Sequence, residues 1–412
     1  MPSLTGKARV DVAIIGGGLA GLSTAISLIE RGVDAVAVLE SGQPGTGASG
    51  RNGGFVFAGY SLSNERLIAQ IGRHRARVLH GWTRDAVRLI RKRIDRYGIA
   101  CQASDAGVLL ADWFGDDRVL LNQAEWLDNQ LGFGLEPVGR DRMADYVTST
   151  RYGAGLLEPG SFHFHPLRHA RGLADATIAG SGRVYGSSPV RSLDRHAGAW
   201  RLRTPEGELQ ADQVVLATGG YDRRLWPRLQ RAVLPVATYI AVTEPLGEQL
   251  QALLPAPVAV YDTRFAFDYY RPLPDTRLLW GGRITMARRS PKAIRRLLRR
   301  DIVRVFPVLD RVRFEYAWGG WMSYARHQMP LLGRTAGSLW YALAFGGHGM
   351  ATTTLAGEVL AEALTGERER LAAFADWPPS WAGGLGGRAA VQCVYWGLQA
   401  GDQLRTRRLR RL

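Results

Sequence analysis

Two unbroken apolar blocks, Val10 to Ile15 and Ala35 to Leu39, bracket a stretch from 19 to 31 whose apolar residues recur at helical spacing. Each block has the length of a buried strand, and Gly32 ends the stretch between them, so the pattern predicts strand, helix, strand. Gly16, Gly18 and Gly21 fill the fixed positions of GxGxxG in the first turn. The first permits a tight turn, the second lets backbone approach a pyrophosphate, and the third lets the helix pack close to the strand. Amides at that helix start face the phosphates. Glu40 closes the second strand 19 residues after Gly21, where a carboxylate can accept both hydroxyls of an unphosphorylated adenosine ribose. This unit predicts a dinucleotide site without separating FAD from NAD.

Downstream, SGQPGTGASGRNGGF reads as an irregular loop, and helices are predicted at 62–97, 116–132 and 166–180. Strands follow near 183–194, 199–204 and 213–217, the last ending in Thr218, Gly219 and Gly220. From Leu234 to Tyr324 the strands lengthen and fill with aromatic and β-branched residues around an arginine-bearing helix at 288–304, the pattern of an antiparallel sheet domain. A strand at 339–345 then runs into GGHGM and a helix through Leu364, whose N-terminus favours negative charge. The expected fold is α/β: a dinucleotide-binding Rossmann-like domain with a second, α+β antiparallel-sheet substrate domain. Residues 1–80, 145–225 and 325–370 are assigned to the first, 81–144 and 226–324 to the second, and 371–412 to a linker and basic amphipathic tail.

The chain's 412 residues and 46% apolar content suit two domains with large cores. No leader pattern or membrane-length apolar run is apparent, so a cytoplasmic protein is expected. Cys101 and Cys393 are the only cysteines, which leaves neither a disulfide framework nor a metal-knuckle spacing. His163 and His165 alternate on a strand without a nearby third ligand, so they read as structural and no metal is expected. The net charge of +16 is carried almost entirely by arginine, since only Lys7, Lys92 and Lys292 are lysines. Solvated helix faces account for most of it, with nucleic acid, an anionic membrane or an acidic substrate as alternative partners. No RNA-binding signature or interleaved aromatic stripe is present, so no specific nucleic acid partner is expected. The tail helix is expected to pack on the body or on a second subunit of a homo-oligomer, with peripheral contact to the membrane's inner face as the alternative.

The glycine unit, GASGRNGGF, ATGGY, YYRPLP, WGGR, AWGGW and FGGHGM occur together in this order. Taken together they resemble the FAD-dependent oxidoreductases of the D-amino acid oxidase superfamily, and within it the gamma-glutamylputrescine oxidase branch. The resemblance implies extended FAD on a glutathione-reductase-type domain. It places Gly16, Gly18, Gly21 and Glu40 at the adenosine and pyrophosphate, and Ala48, Ser49, Arg51, Asn52 and Gly53 near the ribityl chain and ring. It sets Val190 at the adenine, Gly219 near the pyrophosphate, and Gly347, His348, Gly349 and Met350 at the pyrimidine side. His348, Tyr269, Trp321 and Ser323 are the candidate catalytic residues, with His348 read as a source of positive charge.

The implied reaction is removal of a hydride from a carbon bearing an amine, giving an imine that hydrolyses, with O2 or a quinone or carrier as acceptor. Three departures shape the expectation. Amino acid oxidases of this superfamily clamp the substrate carboxylate with an arginine where this chain has Met322, or Arg326 if the register slips, so a small-molecule amine of polyamine type is favoured over an α-amino acid. A D-amino acid or N-methyl amino acid oxidase or dehydrogenase is the alternative, supported if Arg271, Arg283 or Arg326 meets the carboxylate; RNA-directed amine oxidation is a more distant one. The oxygen-activating lysine of sarcosine-oxidase-like members falls on Leu279 or Trp280. No cysteine or histidine stands in the segments where covalent members attach the flavin, so the FAD is expected to be non-covalent.

Overall fold

The computed structural model describes residues 1–221, 225–265, 267–335 and 337–409; the last three residues of the basic tail lie outside the described residues. Strands Gly6–Ile15, Val36–Leu39, Arg183–Tyr185, Gly207–Leu216 and Leu339–Leu343 form a parallel array, extended by antiparallel strands Leu331–Thr335, Ala199–Arg203 and Ser192–His196. The central strands are apolar on both sides because both faces of the sheet are covered. Helix Leu19–Glu30 is buried from 19 to 28 and runs against helix Gly349–Leu364. A Cβ on Gly357 would lie 2.5 Å from the Ser23 backbone, so that crossing depends on glycine.

The second sheet has eight strands. In spatial order they are Phe314–Tyr324, Leu234–Thr243, Leu278–Thr285, Tyr269–Pro272, Ala259–Asp262, Val108–Ala111, Gly155–Glu158 and Glu136–Val138. One face packs on helix Pro291–Val305 through Trp280, Tyr270 and Phe306, with Tyr270 stacked on Trp280 at 4.5 Å. The other face turns toward the glycine-rich loop of the first domain.

The structure corrects several boundaries. Strand Gly155–Glu158 lies in the second sheet, so the change of domain falls after Glu158 rather than at 145. The helix predicted over 62–97 is broken at Gly72, where φ is +80°, into Asn64–Ile71 and Arg73–Arg96. Its second part buries Leu79, Ala86, Val87, Ile90 and Ile94 in the first domain's core and not in the substrate domain. An amphipathic stripe states that a face is buried without stating against what. The strand predicted over 183–194 is two strands separated by a loop in which Ser187 has φ +47°.

Arg93, 2% exposed, ties three helices together by donating to Glu30 Oε2 (2.6 Å), Glu358 Oε1 (2.7 Å) and Ser27 Oγ (2.8 Å). Burial pushes the Glu30 carboxyl up, but the hydrogen bond and charge of Arg93 outweigh it and hold Glu30 below its ordinary value. A lowered folded-state pKa contributes stability that is complete above the unfolded value and is lost as pH falls through the folded one. Glu30→Gln is expected to cost about 1–3 kcal/mol at pH 7 and to flatten the loss of stability below about pH 4. Denaturant melts across that range check it; an unchanged acid limb would show that the pair contributes nothing.

The tail forms helix Gly384–Leu409 and docks along the substrate domain. Arg388 donates to the Met286 carbonyl (2.7 Å), the Met286 amide donates to Gln392 Oε1 (3.0 Å), and Tyr395 meets Phe265 at 5.1 Å. No helix among the described residues is long and apolar enough to cross a membrane.

Candidate active site

The first strand ends in a turn that tolerates no side chains. Gly16 has φ +114°, and a Cβ there would meet the Ala217 carbonyl oxygen at 2.5 Å; one on Gly21 would sit 2.0 Å from the Gly16 oxygen. Gly18 faces Ser49, whose Oγ accepts from the Leu19 amide (2.8 Å) and so satisfies one helix N-terminal donor. Glu40 lies across this turn: Oε2 accepts from the Gly17 amide (2.7 Å), and Oε1 from the Gly42 amide (2.9 Å) and Ser41 hydroxyl (2.9 Å). Its backbone joins the loop leading to Val190, because the Ser188 amide donates to the Glu40 carbonyl (2.7 Å). Gly219, at φ +59°, lies just beyond Ala217, the first residue after strand Gly207–Leu216.

Residues 48–61 run from this turn toward the second sheet, from Ser49 at the Leu19 amide to Gly53 and Phe55 against Tyr269. Asn52 holds the loop's shape: its amide donates to the Ala48 and Ser49 carbonyls (3.0 and 2.8 Å), and its Oδ1 accepts from Gly54 (2.8 Å). Arg271, buried on the sheet, fixes the loop's far end by donating to the carbonyls of Gly53 (2.6 Å) and Phe164 (2.9 Å). Burial lowers Arg271 to about 10, which leaves it charged at neutral pH. Arg51 donates to the Thr46 carbonyl (2.7 Å), and its own carbonyl accepts from the Trp318 indole (3.0 Å).

Strand alternation decides which side chains face this loop. Tyr269, Gly281, Ile240, Trp318, Gly320 and Met322 share one face through cross-strand pairing. Tyr269 stands edge-on to Phe55 at 5.5 Å, and Cβ atoms on Gly53 or Gly281 would intrude on its ring at 2.7 and 2.1 Å. Both glycines are needed to seat it. Trp321 pairs with Ala237 and packs with the opposite core, and Ser323 is buried against Gly220 while its carbonyl accepts from the Gly346 amide (2.7 Å). These two expectations are therefore corrected: Trp321 looks away from the loop, Ser323 supports a turn through its backbone, and Trp318 and Met322 hold the facing positions. The same alternation selects Leu279 over Trp280 as the residue toward the site.

At the far end, His348 precedes helix Gly349–Leu364. Gly347 donates to Ser61 Oγ (2.9 Å), and Met350 is buried. His348 stands edge-on to Phe57 at 5.0 Å, and its buried Nδ1 has no hydrogen-bond partner among the described residues. Desolvation lowers it to about 4, so the ring is neutral at pH 7 and supplies no positive charge, contrary to the sequence reading. Accordingly, His348 contributes no limb to a pH–rate profile between pH 5 and 9. A limb in that range abolished by His348→Gln contradicts this. His163 contacts the Pro257 carbonyl (2.8 Å), while His165 accepts from the Arg168 amide (3.4 Å) and caps helix Pro166–Ala179.

The bare glycine turn, the carboxylate across it, the partnerless His348 nitrogen and the path along 48–61 fit an extended dinucleotide with a ring at the domain interface. Compared with known proteins, residues 11–363 match the family described as FAD dependent oxidoreductase. The chain is 36% identical over 373 residues to gamma-glutamylputrescine oxidoreductase of Escherichia coli (strain K12), covering 89% of this chain and 86% of that protein. It is 31% identical over 383 residues to "Probable oxidoreductase OrdL" of Haemophilus influenzae, covering 90% and 87%. The structure of glycine oxidase from Geobacillus kaustophilus superposes with a TM-score of 0.73 at 21% identity, over 90% of this chain and 98% of that one, which shows a shared fold.

Proposed function

We propose that this chain, which belongs to the FAD-dependent oxidoreductase family, oxidises the C–N bond of a primary or secondary amine of polyamine type. Bound FAD supplies a two-electron acceptor for a hydride from the carbon that bears the nitrogen. Gly16, Gly18, Gly21, Glu40 and Ser49 would hold the adenosine and pyrophosphate, and residues 51–53 with His348 would meet the ring. The neutral His348 can donate or accept one hydrogen bond there through Nδ1.

The supporting observation is that, among the described residues, no arginine stands poised as a carboxylate clamp. Arg271 is spent on two backbone carbonyls, and Arg283 is paired with buried Asp301 through Nε (2.7 Å) and Nη2. Arg326 is exposed on a surface turn, and Met322 occupies the facing position. Among the described residues, what remains facing the loop is aromatic and apolar apart from the hydroxyls of Tyr269 and Thr238, which suits the carbon chain of an amine and offers an α-carboxylate no ion pair. The similarity to gamma-glutamylputrescine oxidoreductase supports the same reading. Product analysis tests it: polyamines and their glutamylated forms should each yield one aldehyde per two electrons, and formation of a 2-oxo acid from an α-amino acid as the faster reaction would overturn it.

Leu279 stands where related oxidases carry a lysine that activates oxygen, so reoxidation by air should be slow and a quinone or carrier faster. Leu279→Lys is expected to raise the air reoxidation rate about tenfold or more by placing positive charge where reduced oxygen develops. Stopped-flow mixing of reduced enzyme with air checks it, and wild-type reoxidation already as fast as turnover would contradict the assignment.

A further inference from the structure

On the face that carries Tyr269, the sheet continues through Tyr261, Ala259 and Val108 to Glu158, which lies directly across from Val108. Glu158 is half-buried at the end of its strand, and its Oε1 accepts from the Ala58 amide (3.4 Å). The neighbouring residue, Phe57, stacks on Tyr261 at 5.7 Å with ring planes 10° apart, and its edge contact with His348 joins this corner to the site. Tyr261 in turn meets Phe267 at 5.7 Å, and Phe267 meets Tyr269 at 6.2 Å. A carboxylate thus stands at the end of an uninterrupted run of half-buried aromatic rings, and no salt bridge neutralises it among the described residues.

Rings of this kind attract cations with their faces, and a carboxylate among them completes a site for a positive nitrogen. That nitrogen is not the one oxidised. Hydride loss requires the reacting amine to be neutral, and an ion pair with a carboxylate would keep it protonated. The spacing agrees, because the Glu158 strand lies three strand spacings from the Tyr269 strand, on the order of 14 Å. We propose that Glu158, flanked by Phe57 and Tyr261, anchors a second, cationic nitrogen of an extended diamine-like substrate whose other end reacts beside Tyr269 and Trp318. This assignment rests on the amine reading above and narrows it to substrates with two separated nitrogens.

The groups facing Glu158 are the Ala58 amide, Ser161, the Tyr261 hydroxyl and Arg84 from helix Arg73–Arg96, with His348 beyond Phe57 neutral. Burial raises the carboxyl to about 7 against the lowering pull of Ser161, the Ala58 amide and Arg84. The free enzyme must hold it ionised to bind a cation, so preference for a second nitrogen should fade as pH falls through about 7.

The test uses holoenzyme and anaerobic flavin reduction by 1,8-diaminooctane and 1-aminooctane, because an extended eight-carbon chain puts its nitrogens about 11 Å apart and an ion-pair contact of about 3 Å completes the separation. Wild type should bind the diamine about tenfold more tightly than the monoamine. In Glu158→Gln that ratio should collapse toward one and lose its pH dependence, and Glu158→Asp should restore part of it. A ratio kept in Glu158→Gln overturns the assignment while leaving the amine reading intact. Failure of every amine to reduce wild-type flavin removes the amine reading itself. Should Glu158→Gln lose its flavin, Phe57→Leu keeps the acid and removes a ring face; its ratio should fall severalfold, and an unchanged ratio counts against the subsite.

Discussion

Glu40→Ala is expected to purify with its flavin largely lost. In the structure this carboxylate already lies across the glycine turn, accepting from the Gly17 and Gly42 amides, so its oxygens are oriented before any ribose arrives. Hydrogen bonds to a charged acceptor contribute about 1.5–3 kcal/mol each, and losing two to the ribose hydroxyls weakens binding by about 10² to 10⁴-fold. Removing the side chain also frees the 41–47 segment from the Gly17 amide. Glu40→Gln separates the two effects, since it keeps one acceptor and the shape while losing the charge. Its occupancy should lie between those of wild type and alanine. The ratio of flavin to protein absorbance after gel filtration checks both, and full occupancy in Glu40→Ala would move the adenosine elsewhere.

Arg271→Met is expected to lower both thermal stability and flavin retention. The guanidinium is 3% exposed and spends its bonds on the Gly53 and Phe164 carbonyls, joining the second sheet to the loop that lines the candidate ring site. Methionine fills the space but leaves two carbonyls dry, at a cost of about 3–5 kcal/mol. Because Gly53 also seats the Tyr269 ring, the loss should spread to the substrate side. Arg271→Lys restores charge without the two-pronged geometry and should recover only part. Calorimetry with and without added FAD checks this. Equal midpoints for Met and wild type would mean that the clamp is dispensable.

The glycine turn was legible in the sequence because each of its constraints is local. Gly16, Gly18, Gly21 and Glu40 stand at spacings that backbone geometry alone requires, and the structure brings them together. The apolar halves of the long parallel strands, 10–15 and 213–216, were legible for the same reason, while their polar beginnings at 6–9 and 207–212 were not. Facing direction was not. In FEYAWGGWMSY, alternation separates Trp318 and Met322 from Trp321 and Ser323, but which set meets the loop depends on the helix covering the other side. The three arginines were visible as candidates, whereas the Gly53 and Phe164 partners of Arg271 are distant in sequence and the Asp301 partner of Arg283 lies on the next helix. Glu158 escaped notice because no strand was expected over 155–158, and nothing in GLLE announces a neighbouring ring on residue 57. His348 was correctly placed at a helix start, yet its neutrality follows from burial that only tertiary packing creates.

The most direct measurement is anaerobic mixing of the purified holoenzyme with polyamines and their glutamylated forms, monoamines and D-amino acids, following the oxidised flavin band near roughly 450 nm. The account predicts rapid bleaching by amines, diamines ahead of monoamines, and little by α-amino acids. Rapid bleaching by D-alanine or sarcosine with none by amines would contradict it.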